Sequence, residues 1–429
     1  MKIKVTNLSY EEAIKKEWQH HNPVMPSRLL KVIINLLSIL ELKAVGFSYE
    51  SQNMDKLSDT EPCLILMNHS SFIDLKIAER IFNKRPLSIV CTSDGFIGKE
   101  WLMRHLGCIP TQKFVQDLQL IKDLDYALHT LKSSVLMYPE ASYSFDGTAT
   151  PLPNSVAKCI KLSKVPVVMI RTHGAFLRDP LYNNLQLRDV KVTAEVKYLL
   201  STEDIAELTA NEIAEILLNE FSFDNFKEQQ DNKISVKEPF RADYLNRVLY
   251  KCPHCMTEGK MEGKGTKLTC NMCHVTYELN EFGYLESQDP RFTHIPDWYK
   301  WQREEVKKEI EDGIYNLDVD VDICVLTDAK SIYRVGEGHL HHNINGFRLT
   351  GCDGKLDYMQ SPQASYSLYS DYYWYEIGDM ICIGNKKILY YCFPKDKSID
   401  IAAKTRLAVE ELYKAKRTDA PLCVAAFAQ

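Results

Sequence analysis

Between residues 63 and 200, short apolar runs alternate with stretches whose apolar residues recur every three or four positions. The runs 63–67, 87–91, 134–138, 165–170 and 190–199 predict buried strands, and the stretches between them predict helices. Such alternation predicts an α/β layer around a largely parallel sheet, with the chemistry in loops at the strand C-termini. Residues 1–60 predict mostly helix. Within them Leu29, Val32, Ile33, Leu36, Leu37 and Leu40 repeat at helical spacing. Downstream, Thr209-Ala210-Asn211-Glu212 is a capping box that opens a helix. The polar run from Lys227 to Lys237 predicts a linker, and 241–250 predicts a further helix. From Ile295 to about Ile310 another helix is expected, with Pro296 near its start, Gly313 past its end, and Trp298 and Trp301 as core anchors. Beyond 315 the period shifts to strands at 320–327, 331–335, 346–350, 371–377, 379–383 and 387–393. Gly378-Asp379 and Gly384-Asn385 mark turns, and a helix over 399–416 follows.

The candidate chemistry lies directly after the run 63–67, in Asn68-His69-Ser70-Ser71-Phe72-Ile73-Asp74. A histidine beside a carboxylate can take a proton from a hydroxyl while the carboxylate fixes the imidazole tautomer. Five residues along one helix would turn the pair apart. His69 is therefore expected in the loop and Asp74 in the first turns of the next helix, with Ser70 or Ser71 as its cap.

This strand, loop and helix resemble the first block of the glycerolipid acyltransferases of the lysophosphatidic acid type. Three further blocks follow in the family's order. The second resembles Gly98 to Lys113, and the resemblance implies that its terminal cation, Lys113 here with Arg104 as the alternative, holds the substrate phosphate. Lys offers a point charge where the family usually has the fork of Arg. The third is Pro139-Glu140-Ala141-Ser142-Tyr143 against the family's Pro-Glu-Gly-Thr-Arg. Glu140 is implied to bind a substrate hydroxyl or hold the loop, Ser142 stands for Thr, and Tyr143 removes a phosphate anchor. The fourth is the apolar run 165–170. The blocks span residue 60 to about 185. They imply a 1-acylglycerol-3-phosphate O-acyltransferase-like enzyme using acyl-CoA or acyl carrier protein as acyl donor and a lysophospholipid or related glycerolipid as acceptor. His69 would be the general base and Asp74 its orienting partner. No Gly-x-Ser-x-Gly elbow or phosphate loop supports a serine lipase or nucleotidase.

Two Cys-x-x-Cys knuckles, Cys252/Cys255 and Cys270/Cys273, stand 14 residues apart with Gly259, Gly263 and Gly265 between them. This spacing predicts a four-thiolate structural zinc ribbon. Cys270 to His274 also matches the c-type haem attachment string, which would leave Cys252 and Cys255 unexplained. A redox role would need a strand–knuckle–helix order that neither pair has.

Composition narrows the setting. The chain has 429 residues, a net charge of −6 and 13 cysteines. Residues 60–200 carry 17 Lys/Arg against 13 Asp/Glu, a mild positive excess that suits acidic headgroups but not nucleic acid. The odd cysteine count and the polar Met1–Asn7 start point to a reducing cytoplasm. No run is long and apolar enough for a membrane span. The helix at 29–42 either lies in the membrane interface, giving peripheral attachment to the inner face, or packs its apolar side on the sheet.

The expected organisation is an N-terminal helical segment (1–60), an acyltransferase domain with a helix-flanked sheet (61–235), a zinc ribbon (236–290), a connecting helix (291–314) and a β module (315–429). That module resembles a pleckstrin-homology-like roll at pattern level. Within it, His339, His341 and His342 lack a neighbouring Cys or carboxylate to complete a metal site. The aromatic stripe Tyr366, Tyr369, Tyr372, Tyr373, Trp374 and Tyr375 is expected to be half core and half strand face. The rival readings are a catalytically inactive, acyltransferase-like lipid binder and a zinc-ribbon nucleic-acid binder.

Overall fold

The structure, a computed structural model, describes residues 2–115, 117–397 and 399–416. They form two compact units, one built on 20–179 and 187–225, the other on 2–19, 180–186 and 226–416. Residues 417–429 of the expected β module lie outside the described residues, as does Met1 of the N-terminal segment.

The first unit holds a seven-stranded sheet. Its order is Ser48–Gln52, Thr193–Leu200, Val167–His173, Leu64–Met67, Ser134–Met137, Leu87–Thr92, Cys108–Thr111. All neighbours run parallel except Val167–His173 and Thr193–Leu200. The central Leu64–Met67 strand is buried along its whole length, as a strand covered on both faces must be. Leu64, Leu66, Val135, Met137, Val167 and Met169 share one core with Leu124, Val156, Ile160, Ile213 and Leu217 from the covering helices. The Thr209 capping box opens the Ala210–Glu220 helix as expected.

Two strands of this sheet escape the apolar-run criterion. Ser48–Gln52 is polar and exposed at one edge. Cys108–Thr111 contains Pro110, which an edge strand tolerates because one side of its ladder is unused.

Helix Arg28–Ala44 is anchored by its charges. Lys31 Nζ donates to Phe82 O at 3.0 Å and pairs with Glu79 at 3.6 Å. Glu41 pairs with Lys76, and with Arg178 Nη2 at 2.6 Å. Its apolar residues face outward: Leu37 is 72% and Leu40 78% exposed. Among the described residues no helix is long and apolar enough to cross a membrane. The remainder of 1–60 is not mostly helical. It holds strands at Val5–Asn7 and Ser48–Gln52, one turn of helix at Tyr10–Ala13, a 3-10 turn at Met54–Lys56 and irregular chain.

In the second unit the polar run 227–237 is not a linker. Asn225–Asp231 is a helix, and buried Gln229 donates to Ile234 O and Glu281 O. These side-chain bonds, together with the buried ring of Phe226, hold it. Nor is 241–250 a continuous helix: only a 3-10 turn, Leu245–Arg247, forms there. Arg241 and Asn246 instead use their side chains on neighbouring backbone, at Leu279 O and Gly263 N.

A four-stranded antiparallel sheet follows, in the order Leu285–Glu286, Thr276–Leu279, Lys267–Cys270, Met261–Lys264. Trp298 of helix Ile295–Glu311 is fully buried, with its indole N–H on Lys251 O at 3.0 Å.

The C-terminal sheet runs Leu356–Gln360, Gly346–Gly351, Ile332–Asn343, Leu317–Leu326, Leu389–Pro394, Gly378–Gly384, Tyr369–Trp374. Val5–Asn7 pairs parallel to Ile332–Asn343. The strand Leu356–Gln360 was not anticipated. Helix Ala402–Lys416 covers the sheet, and Val409 joins the core of Val321, Ile323, Leu340 and Ile381.

The three histidines face different surroundings. His342 is buried, stacked on Phe347 at 3.8 Å and bonded to the Tyr315 hydroxyl at 2.9 Å. Contrary to expectation, carboxylates do stand beside His339: it contacts Asp318 and Asp320 from the paired strand. Of the aromatic stripe, Tyr369, Tyr372 and Trp374 are core, and Tyr373 is exposed.

Candidate active site

The loop after Leu64–Met67 is pinned by side-chain bonds that bracket His69. Asn68 Oδ1 accepts the amide of Thr172 at 2.8 Å, tying the loop to the end of the neighbouring strand, and Asn68 Nδ2 donates to Ser70 Oγ at 3.0 Å. The amide of His69 donates to Glu140 Oε2 at 3.0 Å. Ser70 and Ser71 do not cap the helix by their hydroxyls at its first turn. The helix starts later, at Asp74, and it is Asp74 Oδ2 that accepts the amides of Ser70 at 2.8 Å and Ser71 at 3.0 Å. A carboxylate that gathers loop amides at a helix start satisfies donors the helix cannot.

The same Oδ2 lies 3.3 Å from His69 Nδ1. With Nδ1–H directed at the carboxylate, the lone pair is on Nε2, to which no hydrogen bond is formed among the described residues. The His69 side chain is 18% exposed and Asp74 is buried. Burial pushes the His69 pKa below its ordinary value, the Asp74 carboxylate works against that, and the charge of Lys113 adds to the lowering. Burial thus favours the neutral ring, whose Nε2 edge is placed to accept a proton.

Both faces of the imidazole are covered. Tyr138 stacks at 4.2 Å and Tyr143 at 4.0 Å between centroids, and Phe72 lies 5.6 Å from Tyr143. Tyr138 and Tyr143 come from the turn after Ser134–Met137. That turn has Pro139 at its second position and closes with Ala141 N on Tyr138 O at 3.0 Å. Ala141 has φ +57°, where a side chain costs roughly 1 kcal/mol. The backbone here asks for glycine.

The other anticipated residues are disposed as follows. Glu140 is buried, and its second oxygen accepts Thr150 N at 2.9 Å. Both oxygens are thus engaged in holding two loops. Ser142 is buried in the same turn, its hydroxyl donating to Tyr143 O at 3.1 Å. Lys113 is half-buried, near enough for its charge to act on His69. Arg104 is turned to backbone, donating to Asn22 O at 2.7 Å and His21 O at 3.4 Å.

Sequence reasoning missed Asn68, Tyr138 and Asp179. Buried Asp179 accepts the Ser71 hydroxyl and pairs with Arg178 at 3.2 Å. Burial pushes its carboxyl up to about 7 despite those partners. Its place 108 residues beyond Ser71 left no local signal.

In the other unit the four cysteines converge, with all Sγ atoms within 4.8 Å of one another. Cys252–Cys273 and Cys255–Cys270 are 3.7 and 3.6 Å apart. Four thiolates about 2.3 Å from a central ion would be separated by about 3.8 Å in a tetrahedron. The donor set fits zinc closed by protein ligands, a site that folds the ribbon rather than one that binds substrate.

Comparison with known proteins adds to this geometry. Residues 48–172 match the family model described as Acyltransferase. The chain is similar to human (Homo sapiens) 1-acyl-sn-glycerol-3-phosphate acyltransferase beta, at 23% identity over 128 residues, covering 29% of this chain. It spans about half of that relative, 46% of its length. Among solved structures it is similar to the 1-acyl-sn-glycerophosphate (LPA) acyltransferase PlsC from Thermotoga maritima, with 14% identity and a TM-score of 0.33 over 44% of this chain and 79% of that one. The last likeness is too distant to carry weight. Residues 48–172 therefore form a domain that matches the Acyltransferase family model, and the cysteine ribbon and the C-terminal β module lie outside that match.

Proposed function

We propose that this domain transfers a fatty acyl group from a thioester, acyl-CoA or acyl carrier protein, to the hydroxyl of a lysophospholipid or related glycerolipid. The observation that carries the reading is the contact of His69 Nδ1 with Asp74 Oδ2 at 3.3 Å, with Nε2 left open. Nε2 takes the proton of the acceptor hydroxyl as its oxygen attacks the thioester carbonyl carbon. The tetrahedral intermediate collapses by breaking the C–S bond, and the imidazolium returns the proton to the departing thiolate. The products are an ester and a free thiol. Asp74 stabilises the imidazolium between the two steps.

Lys113 is the proposed holder of an acceptor phosphate; Arg104, the alternative, is turned to the backbone of Asn22 and His21. Glu140 and Ser142 shape the loop that borders the acceptor. The outward apolar side of Arg28–Ala44 supports attachment to the inner, cytoplasmic face of a membrane, with exposed Arg28 toward headgroups and Lys31 instead tying the helix to its own unit. The C-terminal β module, with its strand meander and closing helix, supports a pleckstrin-homology-like docking role. The zinc of the ribbon is structural.

One observation favours a second reading. Tyr143, at the place of the family's arginine, packs its ring on His69, which suits a lipid binder without turnover. Purified protein incubated with acyl donors and a lysolipid panel decides between them. Turnover that is lost in His69→Ala supports transfer. Lipid binding with no product from either protein supports the binder, and salt-sensitive nucleic-acid binding without lipid binding overturns both.

A further inference from the structure

We infer that Asp179 is a positioning residue for the His69–Asp74 pair, acting through Ser71; the inference rests on the acyltransferase reading above. The Ser71 hydroxyl donates to Asp179 Oδ1 and accepts the amide of Ile73 at 3.2 Å. The amide of Ser71 donates to Asp74 Oδ2 at 3.0 Å. One serine thus joins two buried carboxylates, using its side chain for one and its backbone for the other.

Three donors share Asp74 Oδ2: Ser70 N at 2.8 Å, Ser71 N at 3.0 Å and His69 Nδ1 at 3.3 Å. The histidine contact is the longest. The two amides therefore set where the carboxylate rests, and a small rotation of the Ser70–Ser71 peptide decides whether the imidazole stays within reach. Asp74 Oδ1 is buried and has no hydrogen-bond partner among the described residues, so nothing on its other oxygen resists such a rotation. Asp179 supplies the resistance from outside the loop. Its Oδ2 is held by Arg178 at 3.2 Å, and Arg178 is held by Glu41 at 2.6 Å. The end of this chain of charges is Lys76, in the first turn of the helix that Asp74 begins. The charged groups facing Asp179 are Arg178 and Asp74.

A buried carboxylate is costly to keep, and a purely structural site would be as well filled by an apolar side chain. An acceptor fixed for one hydroxyl explains its presence. Asp179→Asn keeps an oxygen for Ser71, whereas Asp179→Ala removes it. The test compares both with wild type, with Ser71→Ala and with the double variant. It reads kcat and KM with acyl donor and lysolipid, thermal unfolding, and the His69 imidazole titration by NMR.

The expected result is a kcat in Asp179→Ala lower by on the order of tenfold, with both KM values unchanged. Asp179→Asn restores most of the rate. The His69 pKa moves lower in Asp179→Ala, because the Asp74 contact that raises it is weakened. Once Ser71→Ala is in place, adding Asp179→Ala has no further effect on rate or titration. The NMR titration needs no turnover. A protein without acyl transfer therefore sinks the acyltransferase reading while the positioning claim is still decided. An unchanged His69 titration in folded Asp179→Ala, or effects of Asp179→Ala and Ser71→Ala that simply add, would overturn the claim.

Discussion

Glu140 reaches back 71 residues to accept the backbone amide of His69 at 3.0 Å, and its other oxygen accepts Thr150 N at 2.9 Å. The carboxylate is a bracket between the loop that bears His69 and the loop that follows the neighbouring strand. Replacing it with Ala leaves two amides without their acceptor in a buried site, at a cost of about 2–3 kcal/mol. Glu140→Ala is expected to lower the melting temperature and kcat together, with acceptor KM unchanged. Glu140→Gln should lose less, because its carbonyl still accepts one amide. A selective rise in acceptor KM would show that Glu140 touches substrate instead.

Under the proposed mechanism, the pH dependence of turnover follows from His69. The base acts when deprotonated, so kcat/KM falls as pH drops through the pKa of the free enzyme. Burial lowers that pKa, with Lys113 adding to the effect and Asp74 opposing it. The acid limb is therefore expected below the ordinary histidine value of about 6.5. Asp74→Asn removes the charge that raises the pKa and should shift the limb further down while reducing the rate. A limb at or above the ordinary value in wild type contradicts the burial argument.

The ribbon should contain one zinc per chain by elemental analysis. Cys252→Ser and Cys270→Ser are expected to lose the metal and unfold the sheet that follows, since buried cysteine ligands leave little apolar core behind them. Chelator should have the same effect on wild type, seen as a lowered melting temperature. His69 and Asp74 belong to the other compact unit, so Cys252→Ser should leave the His69 titration in place.

The outward face of Arg28–Ala44 predicts a separation of stability from membrane binding. Leu37 and Leu40 are exposed, so Leu37→Gln with Leu40→Gln should change unfolding stability by less than about 0.5 kcal/mol each. Each leucine buried in an interface contributes roughly 1.5–3 kcal/mol. Co-sedimentation with vesicles containing anionic lipid should therefore weaken at least tenfold. Equal binding by the double variant would exclude this face from membrane contact.

The sheet and the cysteine cluster were legible because their signals are local. Apolar runs such as 64–67 and 134–137 must be buried strands, and paired cysteines at this spacing have one geometry that satisfies all four sulfurs. The edge strands Ser48–Gln52 and Cys108–Thr111 were not legible, because an edge is half solvated and needs no apolar pattern. The helix Asn225–Asp231 escaped for a related reason: one buried ring, Phe226, and side-chain hydrogen bonds hold it, and a largely polar sequence gives no sign of where those bonds end.

The order of residues alone was enough for the His69–Asp74 spacing and for the alternation that sends their loop to a strand end. For residues 28–44 it gave an apolar stripe and left open whether that stripe faces in or out. Packing in three dimensions was needed to bring Glu140, Thr172 and Asp179 onto the His69 loop and to enclose the imidazole between Tyr138 and Tyr143. It was needed as well for Lys31 and Glu41 to turn the leucines outward. Periodicity records which faces avoid water. It carries no record of which distant carboxylate a backbone amide will meet, because that depends on the register between strands far apart in the chain.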